Sequence, residues 1–346
     1  MNNQIPNISH SSVLSEYCSK KRRCIVFILI IFTNLLVTTV LLVALASIKP
    51  CFFMKCHSKA SECINRSLFR GQCICDSSTA GNGRTVCDGC GITYIRRDAR
   101  IIGGVDAIEY SWPFAVLIRQ HYKTMLTLND RSHLVSASWM CGGTLINHKT
   151  ILTATLEVSI GLYDRRKTSQ RRIAKVLQVI LHPYYNERHL LNDIAILKLE
   201  DYLRPSPTIQ FACLPYFLPE VNTTGIAVGF GDTVPGANQG SSILKQTHLT
   251  IYPNEFCNHV SPSTKKNWNT QLCCGDLNGE RDTCQGDSGG GLYTQRNVSN
   301  ILHYSVDGIV SYGERCASPM KPGIYTRVSN YIDWIQENSD FDTIDS

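Results

Sequence analysis

From Ile25 to Ile48 the chain runs 24 residues without a charged side chain, mostly Ile, Leu, Val and Phe. As a helix rising 1.5 Å per residue this stretch spans roughly 36 Å, enough to cross a hydrocarbon layer of about 30 Å with some tilt. A cleaved leader carries an apolar stretch of only about 7–15 residues, so the segment is too long for one. Lys20, Lys21, Arg22 and Arg23 precede it, whereas Lys49 and Lys55 are scattered after it. A buried core helix would not carry that asymmetry. The positive flank stays cytoplasmic, which predicts a type II single-pass protein of the plasma membrane. Residues 1–24 form the cytoplasmic tail, 25–48 the transmembrane signal anchor, and the rest of the chain lies outside.

The cysteines agree with an outside location. The chain has 16, and all but Cys18 and Cys24 lie beyond residue 50. Apart from Cys87 and Cys90, the close pairs and clustered histidines of a zinc site are missing, so the reading is disulfides in an oxidising compartment, with no metal and no cofactor. Asn65-Arg66-Ser67, Asn222-Thr223-Thr224 and Asn297-Val298-Ser299 are glycosylation acceptors. The net charge of +6 sits largely in residues 20–23 and 165–172 and is not interleaved with aromatics, so nucleic acid is not an expected partner.

Cys51, Cys56, Cys63, Cys73, Cys75 and Cys87 occupy a short segment over residues 51–90. The Cys73-Ile74-Cys75 spacing resembles an EGF-like module. That resemblance implies the pairs Cys51–Cys63, Cys56–Cys73 and Cys75–Cys87. A segment this small buries little apolar area and depends on such bridges for stability.

Beyond residue 100, short apolar stretches such as Phe114–Ile118, Ala174–Ile180 and Ile194–Leu199 alternate with Gly, Pro and Asn turns, the pattern of an all-β barrel. At the end, Ser329 or Asn330 is positioned to cap a helix whose Tyr331, Ile332, Trp334 and Ile335 face inward. Several motifs follow one another in order: Arg100-Ile101-Ile102-Gly103-Gly104, Cys141-Gly142-Gly143-Thr144, Asn192-Asp193-Ile194-Ala195, Asp282-Thr283-Cys284-Gln285-Gly286-Asp287-Ser288-Gly289-Gly290, Ser311-Tyr312-Gly313 and Lys321-Pro322-Gly323-Ile324-Tyr325. Together they resemble the chymotrypsin/trypsin family of serine proteases over residues 101–338. The resemblance implies two antiparallel six-stranded β-barrels with a C-terminal helix. Residues 91–100 form an activation segment and 339–346 a C-terminal tail.

A serine hydroxyl attacks a carbonyl only when a base takes its proton. The resemblance makes Ser288 the nucleophile, Asp193 the acid that orients the base, and the amides of Gly286 and Ser288 the oxyanion hole. Asp282, six residues before the serine, becomes the acid at the floor of a specificity pocket for Arg or Lys, kept open by Gly313 and Gly323. Expected partners are therefore protein or peptide substrates with Arg or Lys at the cleavage site, protease inhibitors, and an activating trypsin-like protease that cuts between Arg100 and Ile101. The freed Ile101 amine would pair with Asp287, whose buried carboxylate is costly without a cation. The resemblance further implies Cys90–Cys213, Cys257–Cys273 and Cys284–Cys316, and leaves Cys141 and Cys274 unassigned.

One departure decides the activity. Where the family reads Ala-Ala-His-Cys, this chain reads Thr153-Ala154-Thr155-Leu156-Glu157-Val158. Both the histidine and the cysteine are missing, and the following Val158-Ser159-Ile160-Gly161 arrives about six residues early, which reads as a deletion. His133, His148, His182 and His189 are out of register, and catalysis tolerates only about 0.5 Å of misplacement. Three readings follow: an active membrane protease whose present chain lacks a short segment, a pseudoprotease that binds without cutting, or a protein that works through its EGF-like stem.

Two further stretches stand out. Arg165, Arg166, Lys167, Arg171 and Arg172 read as a solvated basic loop, with affinity for polyanions as the competing reading; Asp164 is nearly the only acid nearby, too few ligands for calcium. Gln120 to Ser138 is expected to form an exposed loop at the rim of the cleft.

Overall fold

The computed structural model describes residues 60–67, 70–75, 90–93, 104–128, 131–153, 158–167, 172–215, 218–298 and 301–339, with backbone alone at 60–75, 120–138 and 298. The expected anchor 25–48, the side chains of the cysteines expected to form the stem, the expected cut between Arg100 and Ile101, and residues 154–157 lie outside this description. No helix among the described residues is long and apolar enough to cross a membrane. Strands β1 (Ala60–Ser67) and β2 (Arg70–Cys75) form a two-stranded sheet of their own.

The remaining strands are β3 (Val105–Asp106), β4 (Ala115–Leu128), β5 (Arg131–Leu145), β6 (Thr150–Thr153), β7 (Val158–Ile160), β8 (Arg172–Ala174), β9 (Val176–Leu181), β10 (Ala195–Leu199), β11 (Thr224–Gly229), β12 (Lys245–Tyr252), β13 (Gln271–Gly275), β14 (Gly291–Val298), β15 (Ile301–Tyr312) and β16 (Gly323–Arg327). They build two seven-stranded sheets, ordered β8-β7-β4-β5-β6-β10-β9 and β11-β14-β15-β16-β13-β12-β3. Both close on themselves. In the first, β8 and β9 are halves of one strand broken at Lys175, so the sheet begins and ends in the same piece of chain. In the second, β11 also pairs with β12 from Thr224↔Thr250 to Gly229↔Lys245, and β3 is an extra strand laid on β12. The two closed cylinders are thus six-stranded in effect, with no long unpaired edge between barrel strands.

Leu117, Ile118, Leu145, Ile151, Leu152, Ile160, Ile196 and Leu197 are fully buried. Trp112, Phe114, Tyr293 and Tyr304 form an aromatic cluster joining the approach to β4 with β14 and β15. Trp112 stacks on Tyr293 at 5.2 Å and meets Phe114 and Tyr304 edge-on. Its indole N–H donates to Gln246 Oε1 at 2.7 Å, so burial leaves that donor satisfied.

Two expectations are corrected here. Among the described residues, 120–128 and 131–138 are not an irregular loop: β4 and β5 continue as a paired ribbon from Ala115↔Thr144 to Leu128↔Arg131. Along such a ribbon every second residue exchanges backbone hydrogen bonds with the facing strand, a ladder that an open loop cannot offer. The final helix α1 (Ile332–Asn338) is entered through a 3-10 turn, Val328–Tyr331, with no side-chain cap. The tighter turn carries the chain from β16 into the helix in place of a Ser or Asn cap. Tyr331 and Ile335 are buried, and Ile332 and Trp334 pack against the core.

Phe114 has no exposed surface, so Phe114→Ala should cost about 3–5 kcal/mol, read as a lowered denaturant midpoint of the oxidised protein; an unchanged midpoint would remove the cluster from the core.

Candidate active site

The loop between β13 and β14 holds Asp282, Gly286, Asp287 and Ser288. Gly286 sits at φ +98°, a conformation that L side chains rarely adopt, and a Cβ there would press within 3.1 Å of Gly231 Cα. The turn this permits is pinned on all sides. Asp287 N donates to Cys284 O (3.0 Å), Gly289 N to Val310 O (2.8 Å), Gly290 N to Asp287 O (2.8 Å), and Gly142 N to Ser288 O (2.9 Å). Among the described residues, neither Gly286 N nor Ser288 N donates to an internal acceptor. Two amides at a tight turn are thereby left for something from outside.

A pocket of about 210 Å³ opens beside them, lined among others by Asp282, Ser288, Ser311, Gly313, Arg315 and Gly323. The Asp282 carboxylate accepts from Thr283 N at 2.8 Å and from Ala317 N at 2.9 Å. Burial nevertheless raises its pKa to about 6, because those two bonds only partly replace lost hydration. The Cys284–Cys316 disulfide ties this loop to the one carrying Gly313 and Arg315.

Asp287 points the other way. Its Oδ1 accepts from Gly231 N at 2.8 Å and its Oδ2 from Cys284 N at 2.9 Å. Burial raises this carboxyl to about 6 as well, against the pull of the two amides. Gly229 and Gly231 are required beside it, since a methyl group on either would overlap a carboxylate oxygen. The carboxylate borders a cavity of about 350 Å³ that reaches Gly104, three residues after Ile101.

Asp193 precedes β10, after Asn192 at φ +53°. The side chain of Asn192 holds that turn, donating to Tyr184 O at 2.7 Å and accepting from Tyr331 Oη at 2.9 Å. Ser311 Oγ donates to Asp193 Oδ2 at 2.6 Å, and Thr326 Oγ1 to its carbonyl at 2.7 Å. Burial raises the Asp193 pKa and the Ser311 bond opposes it. Ser311 lines the pocket that also holds Ser288 and Asp282, so Asp193, from the first barrel, is moored to the second barrel at that pocket. Ser311 and Thr326 were missed as positioning groups in the sequence, although Ser311 heads a recognisable Ser-Tyr-Gly motif.

The described histidine rings engage other groups. His148 lies on Tyr202 with Nδ1 at 2.8 Å from Leu203 O. His182 packs edge-on against Tyr331, and His189 accepts from Lys265 N at 3.3 Å. His259 meets Met320 O and His303 meets Cys90 O, both at 2.8 Å. The side chain of His133 lies outside the described residues. Disulfides join Cys90 to Cys213 and Cys257 to Cys273; Cys274 is a buried thiol, raised well above its ordinary pKa by burial. Asn222 and Asn297 are exposed.

The basic loop is partly spent on the fold. Arg165 donates to Gln239 O, Gly240 O and Met140 Sδ, and Arg166 is paired to Asp164 at 2.8 Å. That bond draws the Asp164 carboxyl down to about 2. No group of acids, histidines or cysteines suited to a metal occurs among the described residues.

The trypsin family model matches residues 101–335. The chain belongs to the trypsin family. Its relatives include trypsin II-P29 of Gallus gallus, 31% identical over 247 residues that span 69% of this chain and 89% of that protein. Clotting factor G beta subunit of Tachypleus tridentatus is 32% identical, over 69% of this chain and 79% of its own length. Serine protease snk of Drosophila melanogaster is 36% identical over 58% of this chain, spanning 49% of that protein. Trypsin-like proteases act on protein substrates and are regulated by inhibitors.

Two pH effects follow. Benzamidine, a cation of the size of the Asp282 pocket, should bind well at pH 7.5 and weaken as pH falls through about 6, where Asp282 takes a proton; a flat affinity from pH 5 to 8, followed by fluorescence competition, would count against this pocket. In the uncut chain, Asp282 and Asp287 hold protons more tightly folded than unfolded. The stability this confers is complete below the ordinary carboxyl value of 3.8 and is lost as pH rises through about 6. Asp287→Asn should remove about half of that decline in urea midpoints measured from pH 4 to 7.

Proposed function

We propose that this chain is a membrane-anchored trypsin-like serine endopeptidase precursor, exposed at the cell surface, that has lost the histidine of its catalytic triad. The carrying observation is a complete set of flanking parts around a missing base. Ser288 and Asp282 line one pocket, Asp193 is hydrogen-bonded to Ser311 of that pocket, and the sequence contains no histidine between His148 and His182.

Each part has a role in this reading. Cleavage after Arg100 frees the Ile101 amine, which enters the cavity beside Asp287 and supplies the cation that the buried carboxylate lacks. Asp282 seats an Arg or Lys side chain of the substrate, with Gly313 and Gly323 leaving room for it. Ser288 Oγ would be the attacking group, and Gly286 N and Ser288 N would hold the oxyanion, a contribution of about 3–4 kcal/mol per donor. Without imidazole, the serine proton has nowhere to go as the bond forms. Loss of that histidine from a serine-protease triad costs about 10⁶ in turnover, so the chain is nearly inert as a protease. The anchor at 25–48, the EGF-like stem at 51–90 and glycans on Asn65, Asn222 and Asn297 complete a type II plasma-membrane glycoprotein, with Cys90–Cys213 keeping the cut halves joined. Its partners are peptides with Arg or Lys, protease inhibitors and an activating trypsin-like protease.

A second reading, a pseudoprotease that acts by binding, is favoured by the retention of Asp282 and the two oxyanion amides without a base. Sequencing the gene and its transcripts across the codons for Thr155 and Leu156 separates the two. A skipped segment encoding His-Cys identifies an active parent enzyme, and an uninterrupted exon supports the binder. For the chain itself, a fluorophosphonate should leave Ser288 essentially unlabelled after cleavage at Arg100, under conditions that saturate trypsin. Rapid stoichiometric labelling would show that another group serves as base.

A further inference from the structure

Side chains alternate along a strand, so one row of a barrel strand faces the core and the other faces out. In β8 and β9 the core side is taken by Ala174, Val176 and Ile180. The outward row is Ile173, Lys175, Leu177, Val179 and Leu181, and its four apolar members stand in water. Ile173 is 58% exposed, Leu177 70%, Val179 36% and Leu181 58%. A lone exposed leucine needs no explanation, but four such side chains in one row mark an interaction surface. One end of the row is basic. Lys175 meets Glu200 at 3.5 Å with both side chains largely exposed, and Arg172, beside Ile173, is exposed as well. At the other end, Leu181 leads into His182, whose ring packs on Tyr331 at 5.2 Å and on Trp334 at 5.0 Å. The row therefore starts beside helix α1.

Beyond that helix and Ser339 the chain reads Asp340-Phe341-Asp342-Thr343-Ile344-Asp345-Ser346, two large apolar side chains and three acids without a base. These residues lie outside the described ones. In an extended chain of three residues per turn, rising about 3.1 Å each, Phe341 and Ile344 share one face about 9 Å apart, and Asp342 and Asp345 share another. Along β9, Val179 stands about 7 Å and Leu177 about 13 Å from Leu181. Phe341 over Leu181 thus sets Ile344 between Val179 and Leu177 and carries Asp345 toward Lys175 and Arg172. Reach allows it: Asn338 is about 6 Å of helix beyond Trp334, and the three residues on to Phe341 extend about 10 Å. We propose that residues 340–346 strap the outer face of β8 and β9, with Phe341 and Ile344 on the apolar row and Asp345 facing its basic end. A second copy would bring another apolar row with its own basic end, whereas the tail brings the opposite charge. Attachment also holds the tail at an effective concentration of about millimolar. The strap ties α1 to the first barrel, and it is separate from the Ser288 site.

The test places the photo-crosslinker p-benzoylphenylalanine at position 341 of the full chain in lipid nanodiscs, with isotopically light and heavy chains mixed before irradiation. The expected product is a cross-link within one chain to the tryptic peptide Val176–Arg188, read by mass spectrometry. Leu177→Asp, at an exposed position, should lower its yield about fivefold or more while leaving the denaturant midpoint unchanged. Asp345→Lys, in the tail itself, should lower it about threefold. Unchanged yields in both variants would overturn the proposal. Light–heavy cross-links at this peptide would give the row to a second copy, and cross-links to lipid would give the tail to the membrane surface. Cross-links confined to other peptides, or none at all, would place the tail elsewhere. Each of these three results overturns the proposal.

Discussion

The buried carboxylate of Asp287 is the constraint on which the rest of the site depends. It is a largely enclosed acid at the edge of the cavity that reaches Gly104, and two backbone amides, Gly231 N and Cys284 N, donate to it. Those amides belong to different segments, so accommodating one side chain fixes the Gly229–Gly231 stretch against the Cys284–Gly290 turn. Once Asp287 is turned inward, its neighbours are committed: Ser288 on the next residue, the unspent amides on either side, and Asp282 four residues before the turn's glycine–aspartate pair. The glycines at 229 and 231 have the same cause, since no side chain fits beside the carboxylate.

The second dependency lies between the barrels. Asp193 comes from the first barrel, yet its hydrogen-bond donors, Ser311 and Thr326, come from strands of the second. Its position is therefore only as secure as the docking of the two cylinders. That docking rests on the aromatic cluster around Trp112 and on the hydroxyl pair Thr144–Tyr293 at 2.8 Å. Gly142 N donating to Ser288 O extends the same coupling to the serine itself. Ser288 and Asp193 thus both answer to one packed interface rather than to independent loops.

Legibility in the sequence followed interaction range. The motif around Ser288 could be read because its constraints are local: a positive φ demands glycine, and a buried acid must neighbour the turn. Strand segments were visible as short apolar runs bounded by turn residues, as in Ile194–Leu199, where all but Lys198 are buried. The barrels were expected from that pattern and from the resemblance, but how the first one closes was not, because it depends on β8 and β9 pairing with opposite edges of the same sheet. The 120–138 ribbon was missed because its pairing is cross-strand rather than periodic, and the helix start because a 3-10 turn has no capping signature. Ser311 could have been found from the Ser-Tyr-Gly motif. Nothing local marks Arg165 as an internal brace, since its acceptors, Gln239 O and Gly240 O, lie more than 70 residues away.

The central claim is that Ser288 and Asp193 face one another across a space from which a base is missing. A crystal structure of the chain cut after Arg100 tests it most directly. The account predicts both side chains at one cleft above Asp282, with ordered solvent where an imidazole would stand and no histidine within hydrogen-bond reach of either. A histidine ring bridging Ser288 Oγ and Asp193, from any part of the chain, would contradict it.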